Sequence, residues 1–254
     1  MNTRKEQLKA FEKLLDIMDE LREKCPWDRK QTMDTLRTLS IEEIYELSDA
    51  IIENDSEEIK KELGDVFLHL VFYSKIASEQ NQFDIADVLN SINEKLIRRH
   101  PHIYSNTKAT TEEEVNKNWE QIKLNEGNSS VLSGVPTSLP AMVKAYRIQD
   151  KVKGVGFEFE NKEQVFDKIQ EEIEEFKNEK NPIDREMEFG DILFSLINYG
   201  RFVGINSEDA LERSNKKFIN RFKKLELIVQ QNNQNINDLT ISELNSLWEK
   251  VKNT

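Results

Sequence analysis

Apolar residues recur every three or four positions along most of the chain, which is the spacing of amphipathic helices. The first such run, from Leu8 to Leu21, predicts a helix that ends near Lys24, because Pro26 follows it closely. Further helices are predicted at 57–79, 84–99, 112–125, 139–153, 162–178, 185–203, 207–230 and 241–251. No segment alternates convincingly between apolar and polar residues, as a half-buried strand would. The pattern therefore predicts an all-α fold.

Three helix starts are predicted from capping boxes, in which a hydroxyl side chain and a carboxylate three residues later satisfy unpaired backbone N–H groups. The pairs are Ser40 with Glu43, Thr111 with Glu114, and Thr240 with Glu243.

Composition supports the helical interpretation and narrows the class of partner. The 254 residues include only 8 Gly and 5 Pro, too few to favour a fold rich in hairpins or in glycine fingerprints. Acidic residues outnumber basic ones by 48 to 36, so we expect no broad nucleic-acid-binding surface. The single cysteine, Cys25, can form no intrachain disulfide. The charged N-terminus and the lack of a long apolar run predict a cytoplasmic protein without a membrane segment.

The two halves of the chain repeat three short motifs in the same order. EEIYE at 42–46 matches EEIEE at 171–175, ELGD at 62–65 matches EFGD at 188–191, and NEKLIRR at 93–99 matches NKKFINR at 215–221. Turn-forming residues interrupt the helical pattern between these halves. The sequence therefore predicts two tandem domains, 1–126 and 139–254, joined by a linker at 127–138.

Each half carries two acid pairs at i and i+3, and that spacing places both acids of a pair on one helix face. If the two helices of each half fold back on each other, four carboxylates converge. Oxygen ligands without Cys or a Glu-x-x-His motif favour Mg²⁺, or alternatively Mn²⁺, over zinc or di-iron. A solvated acidic helix face is the alternative, but acids on the second helix of the first half border an apolar stripe. The predicted metal ligands are Glu43, Glu46, Glu62 and Asp65 in the first half, and Glu172, Glu175, Glu188 and Asp191 in the second.

Basic residues on the next helix of each half suit a phosphate-bearing ligand next to a metal. They repeat an Asn-x-Lys-x-x-x-Arg pattern, with Lys95 and Arg99 in the first half and Lys217 and Arg221 in the second. Ordinary exposed helix residues are the alternative interpretation. In the second half, Ser195 and Asn198 extend the row of acids along the helix, as part of the site or as packing groups.

The motifs CPWDRKQT at 25–32, KKELGD at 60–65 and KLIRRHPHIY at 95–104, with the duplicated acids, resemble the MazG family of all-α nucleoside triphosphate pyrophosphohydrolases. This resemblance spans nearly the whole chain. It implies Mg²⁺-dependent hydrolysis of NTPs or dNTPs to monophosphate and pyrophosphate. It also implies homodimers in which helices of different subunits complete four-helix bundles.

The same resemblance implies roles for individual residues. The two quartets bind metal, and Lys168, Lys217 and Arg221 contact phosphates. Glu171 is a candidate to orient or deprotonate the attacking water, although it can also be an ordinary exposed acid. Leu39 and Phe72 occupy the first-half positions of Lys168 and Asn198. We therefore expect the second half to carry most of the activity, with Glu171, Glu172, Glu175, Glu188 and Asp191 as its catalytic acids.

Two other classes of function remain open on sequence grounds. A regulatory module could bind a nucleotide through metal without hydrolysing it, and a purely helical scaffold would bind neither. Other phosphate chemistries lack their signatures, since the chain has no P-loop motif and no His-Asp dipeptide.

Overall fold

The computed structural model describes residues 1–105, 111, 114, 115, 122 and 130–252. Regular structure in this part of the chain is entirely helical, which confirms the all-α prediction. Within the described ranges, ten α-helices have bounds that the structure gives, and two short 3₁₀ turns at Asp28–Lys30 and Ile236–Asp238 accompany them. The helices are α1 (Arg4–Lys24), α2 (Met33–Glu53), α3 (Ser56–Glu79), α4 (Ile85–Arg99), α5 (Pro101–Tyr104), α6 (Ala141–Lys153), α7 (Lys162–Asn178), α8 (Pro182–Phe202), α9 (Ser207–Gln231) and α10 (Ile241–Lys252).

None of the helices within the described ranges combines the length and apolar character that a membrane crossing requires. The chain divides into two compact units, 1–109 and 110–254. Of the helix predicted at 112–125, residues Glu114, Val115 and Ile122 are described, and they are helical. The predicted linker at 127–138 lies partly outside the described residues, and the domain boundaries placed around it stay predictions.

In the first unit, α2 and α3 pack closely against each other as a helix pair, and α1 packs against α3. Asn54 ends α2 in the left-handed conformation, and the carboxylate of Asp55 caps the first N–H groups of α3. The core below them consists of Met18, Leu36, Val71, Phe72 and Ile76. This short connection holds the acid-bearing segments of α2 and α3 side by side.

The second unit repeats the helix pair with α7 and α8. Asn181 caps α8, whose first residue is Pro182, a position that requires no N–H donor. Both α6 and α9 pack against α8, while α9 and α10 share a core of Leu225, Val229 and Val251. Trp248 packs against that core.

The structure corrects the predicted start of one helix and extends another. Ser40 does not begin a helix, because α2 starts at Met33 and is capped by Thr32. The Ser40 hydroxyl lies inside the unit, where it bonds the Leu36 carbonyl at 2.9 Å, His69 Nδ1 at 2.6 Å and the Tyr73 hydroxyl at 2.7 Å.

The other helix starts agree more closely with the capping signals. Hydrogen bonds confirm the boxes of Thr111 with Glu114 and Thr240 with Glu243. Helix α8 begins three residues before the predicted Arg185, since Asn181 supplies a cap that was not recognised in the sequence.

The interior position of Ser40 can be tested with a double-mutant cycle of Ser40→Ala and Tyr73→Phe. The two losses in unfolding free energy are expected to be non-additive by about 0.5–1.5 kcal/mol, because each variant removes the same part-buried hydrogen bond. Urea unfolding at one fixed protein concentration measures the four stabilities. A control cycle with Ser48→Ala, at an exposed position of α2, should be additive within about 0.3 kcal/mol. Additivity in the Ser40 cycle would contradict the interior contact.

Candidate metal and phosphate site

The first unit brings three of its four predicted metal ligands together. Carboxylate oxygens of Glu43, Glu62 and Asp65 lie within 4.8 Å of one another. Glu43 projects from α2, while Glu62 and Asp65 project from one face of α3. Glu62 is 1% exposed; its Oε1 accepts a hydrogen bond from the Lys61 ammonium at 2.9 Å, and its buried Oε2 has no partner. An unpaired buried carboxylate oxygen is costly and suits a cation ligand.

The second unit forms an equivalent trio from Glu172, Glu188 and Asp191, again with oxygens within 4.8 Å. Glu172 on α7 is buried, and the other two acids lie on α8. The Lys168 ammonium lies 2.9 Å from Glu172 Oε1 and 2.9 Å from Glu171 Oε1. These two carboxylates, Glu171 first, raise the pKa of Lys168. The lysine therefore stays charged and partly neutralises the trio.

The fourth acid of each predicted quartet lies outside the trio. Glu46 and Glu175 are exposed, yet the charge of the buried acid beside each one contributes to a shift in its pKa. Desolvation, followed by the charge of Glu62, raises the pKa of Glu46. Desolvation, followed by the charge of Glu172, likewise raises the pKa of Glu175. Both acids stay predicted ligands that complete the trios.

Negative charge also accumulates within the first trio. Desolvation, followed by the charge of Asp65, raises the pKa of Glu43. Like charges this close repel each other, and a divalent cation bound among them would relieve that repulsion. Three hard oxygen donors without a thiolate or imidazole in the trio match the preference of Mg²⁺ or Mn²⁺. The residues present therefore fit the predicted cofactor.

The polar or apolar character of the residues that follow each trio along the same helix differs between the units. In the first unit these residues are His69 and Phe72 on α3. Burial lowers the pKa of His69 in spite of the opposing charge of Asp65. In the second unit, the corresponding residues are Ser195, 8% exposed, and Asn198. The Asn198 side-chain oxygen accepts a hydrogen bond from Arg201 at 2.8 Å.

Two basic residues were not predicted from the sequence: Lys61, which pairs with Glu62, and Arg201, which donates to Asn198. Lys61 directly precedes Glu62, but nothing in that spacing distinguishes it from an ordinary surface lysine. Arg201 follows Asn198 by three residues on α8, a spacing that does predict contact.

The predicted basic residues lie on the helices that pack beside the acid helices. Lys95 is exposed and Arg99 half-buried on α4, which packs against α3. Lys217 is exposed and Arg221 half-buried on α9, which packs against α8. Among the described residues, no ion pair joins Lys95, Lys217 or Arg221 to a trio. Their proposed phosphate contacts therefore stay predictions.

The fold and the trios together define an all-α protein in which a helix pair of each unit carries a carboxylate cluster that could hold a cation. Residues 31–104 match the model of the MazG nucleotide pyrophosphohydrolase domain. The nucleoside triphosphate pyrophosphohydrolase/pyrophosphatase MazG of Thermotoga maritima is 43% identical over 247 residues, covering 95% of each chain. The nucleoside triphosphate pyrophosphohydrolase of Escherichia coli is 37% identical over 257 residues, covering 96% of this chain and 98% of that protein. The chain belongs to the MazG family.

Thermal melts of Asp191→Asn test whether the second trio repels itself without metal. This change removes one charge at nearly constant shape, so the melting temperature in EDTA is expected to rise by about 2–4 °C, and the gain from added Mg²⁺ is expected to shrink. Glu186→Gln, at an exposed position of α8 outside the trio, is the matched control and should change neither value. If Asp191→Asn behaved like this control, Asp191 would not belong to a convergent metal site.

Proposed function

We propose that this chain is a Mg²⁺-dependent nucleoside triphosphate pyrophosphohydrolase that converts NTPs and dNTPs to monophosphates and pyrophosphate. The observation that carries the proposal is the convergence of Glu172, Glu188 and Asp191, with Lys168 2.9 Å from Glu172. The names of the two full-length relatives support the same reaction. Mn²⁺ is the alternative metal, since it shares the preference for oxygen ligands.

The acids of the second unit hold the metal in this proposal, with Glu175 joining the trio. When bound, the metal neutralises charge on the triphosphate and increases the acidity of the attacking water. Glu171 accepts a proton from that water or orients it, because it lies beside the trio and carries a carboxylate open to solvent.

Basic residues bind the phosphates. In this proposal, Lys168 leaves its ion pair with Glu171 and contacts a phosphate oxygen, and the raised pKa of its ammonium supports that role because the group stays charged. Lys217 and Arg221 on α9 supply further positive charge beside α8. In the first unit, Lys95 and Arg99 on α4 are assigned the corresponding role.

The two units contribute unequally. The first trio has a buried oxygen ready for a cation, but its neighbours Leu39 and Phe72 offer no phosphate contact. We therefore assign most of the hydrolysis to the second unit.

A second copy of this chain is the proposed partner. Helix α3 exposes Leu63, Phe67 and Leu70, with exposed fractions of 52%, 42% and 53%. Helix α8 exposes apolar residues such as Met187 and Leu196. Apolar surface of this extent on one helix is characteristic of an interface. A homodimer in which each helix pair meets its counterpart would bury both surfaces as four-helix bundles.

The bond that is broken can be tested by product analysis. Incubation with Mg²⁺ and a panel of NTPs and dNTPs is expected to yield monophosphate and pyrophosphate in equal amounts, measured by ion-exchange chromatography. Omission of metal with EDTA should abolish turnover, because the triphosphate charge is then not neutralised. Formation of diphosphate and orthophosphate would contradict the assigned bond, and nucleotide binding without products would favour the regulatory module.

The unequal roles of the units can be tested by making the same substitution at equivalent acids of the two units. Glu172→Gln is expected to lower kcat at least about 100-fold, whereas the equivalent Glu43→Gln should lower it less than about tenfold. Steady-state kinetics at saturating Mg²⁺ measures both, and circular dichroism checks the fold. Equal losses would show that both units catalyse the reaction or that they depend on each other.

A further inference from the structure

Arg201 lies almost entirely inside the second unit, with its side chain 5% exposed. Its guanidinium forms a two-pronged ion pair with Glu158, in which Nη1 lies 3.0 Å from Oε2 and Nη2 contacts Oε1. Glu158 belongs to the segment between α6 and α7, 43 residues away in sequence. A part-buried bidentate pair of this kind fixes both side chains firmly.

The same Nη2 group also donates to the side-chain oxygen of Asn198 at 2.8 Å. A guanidinium has donors and no acceptor, so only the oxygen of the Asn198 amide can face it. The amide nitrogen must therefore face away from Arg201, and its two N–H donors are left for another partner. The ion pair with Glu158 fixes the position of Arg201. Arg201 in turn determines that the oxygen of the Asn198 amide faces the guanidinium and that the nitrogen faces the opposite side.

Asn198 lies in the row that contains Glu188, Asp191 and Ser195. Seven residues of α-helix separate it from Asp191, which is about 10 Å along the axis. A phosphate group at the trio would place the sugar or base of the same nucleotide near that distance. The donors of Asn198 then suit an oxygen or ring nitrogen of the nucleoside part.

The first unit lacks this arrangement. Phe72 takes the position of Asn198, and Lys75, which takes the position of Arg201, pairs with Asp19 at 2.7 Å. Phe72 is 3% exposed and has the Arg22 guanidinium over its ring. No amide is presented there, which distinguishes the two sites at the nucleoside end.

We propose that Arg201, held by Glu158, is a positioning residue that orients the Asn198 amide so that its N–H groups bind the nucleoside part of the substrate. The proposal rests on the function proposed above for the same site. It adds a device for recognising the nucleoside, separate from the groups that hold metal and phosphate.

Asn198→Asp is the most informative variant. It replaces the N–H donors by an oxygen at constant shape, and its carboxylate still pairs with Arg201, so the fold should keep or gain stability. KM for the nucleoside triphosphate is expected to rise about tenfold with a smaller change in kcat, because a hydrogen bond to substrate is lost. Inhibition by inorganic tripolyphosphate with Mg²⁺, which has no nucleoside, should change less than about twofold.

Arg201 is tested by a conservative pair of variants. Arg201→Lys keeps a donor toward Asn198 and should retain most of the nucleotide affinity, whereas Arg201→Met removes the donor and is expected to raise KM about five- to tenfold. Lys75→Met, at the equivalent position of the first unit, is the control and should leave KM unchanged. Thermal melts of all variants check that the changes in KM do not follow stability.

Binding of a non-hydrolysable nucleoside triphosphate analogue is measured in parallel by calorimetry. If the parent protein bound the analogue but hydrolysed no NTP, the proposed function would fail, and the affinities of the variants would still decide on Arg201. Affinity in Asn198→Asp equal to that of Lys75→Met would overturn the proposal. An equal loss of tripolyphosphate inhibition would also overturn it, because Asn198 would then contact phosphate.

Discussion

Each unit of this chain holds three carboxylates within 4.8 Å of one another. Their mutual repulsion requires positive charge close by. One acid of each trio, Glu62 or Glu172, is buried, which increases the cost of leaving its charge unbalanced. Lys61 and Lys168 supply part of the balancing charge within the chain. A divalent cation would supply the rest, so the proposed affinity for metal has its origin in the short helix connections that bring the acids together.

The duplicated trio does not make the two units chemically equal. The second unit adds Lys168 and Asn198 around its acids, and the first unit has Leu39 and Phe72 at those positions. A trio alone can hold a cation, but recognition of a phosphorylated ligand needs positive charge and directed donors as well. The difference between the units therefore lies in the neighbours of the acids, and it is consistent with most of the hydrolysis taking place in the second unit.

Sequence patterns predicted most helices and the convergent acids because both depend on local spacing. Periodic apolar residues and the cap at Thr240 act within a few positions of the chain. The prediction at Ser40 was wrong because its hydroxyl contacts Tyr73, 33 residues away, instead of a nearby backbone N–H group. The link between Arg201 and Glu158 was missed for the same reason, since 43 residues separate them. Tertiary contacts of polar groups leave no periodic signal in a single sequence.

The proposed function requires that the trio of the second unit bind a divalent metal and hold the phosphates of a nucleotide. Its most direct test is anomalous diffraction, at the manganese absorption edge, from crystals grown with Mn²⁺ and a non-hydrolysable nucleoside triphosphate analogue. The expected result is an anomalous peak in contact with Glu172, Glu188 and Asp191, with phosphate density beside it. Phosphate density elsewhere, with no peak at these three carboxylates, would show that the trio is not the metal site of the reaction.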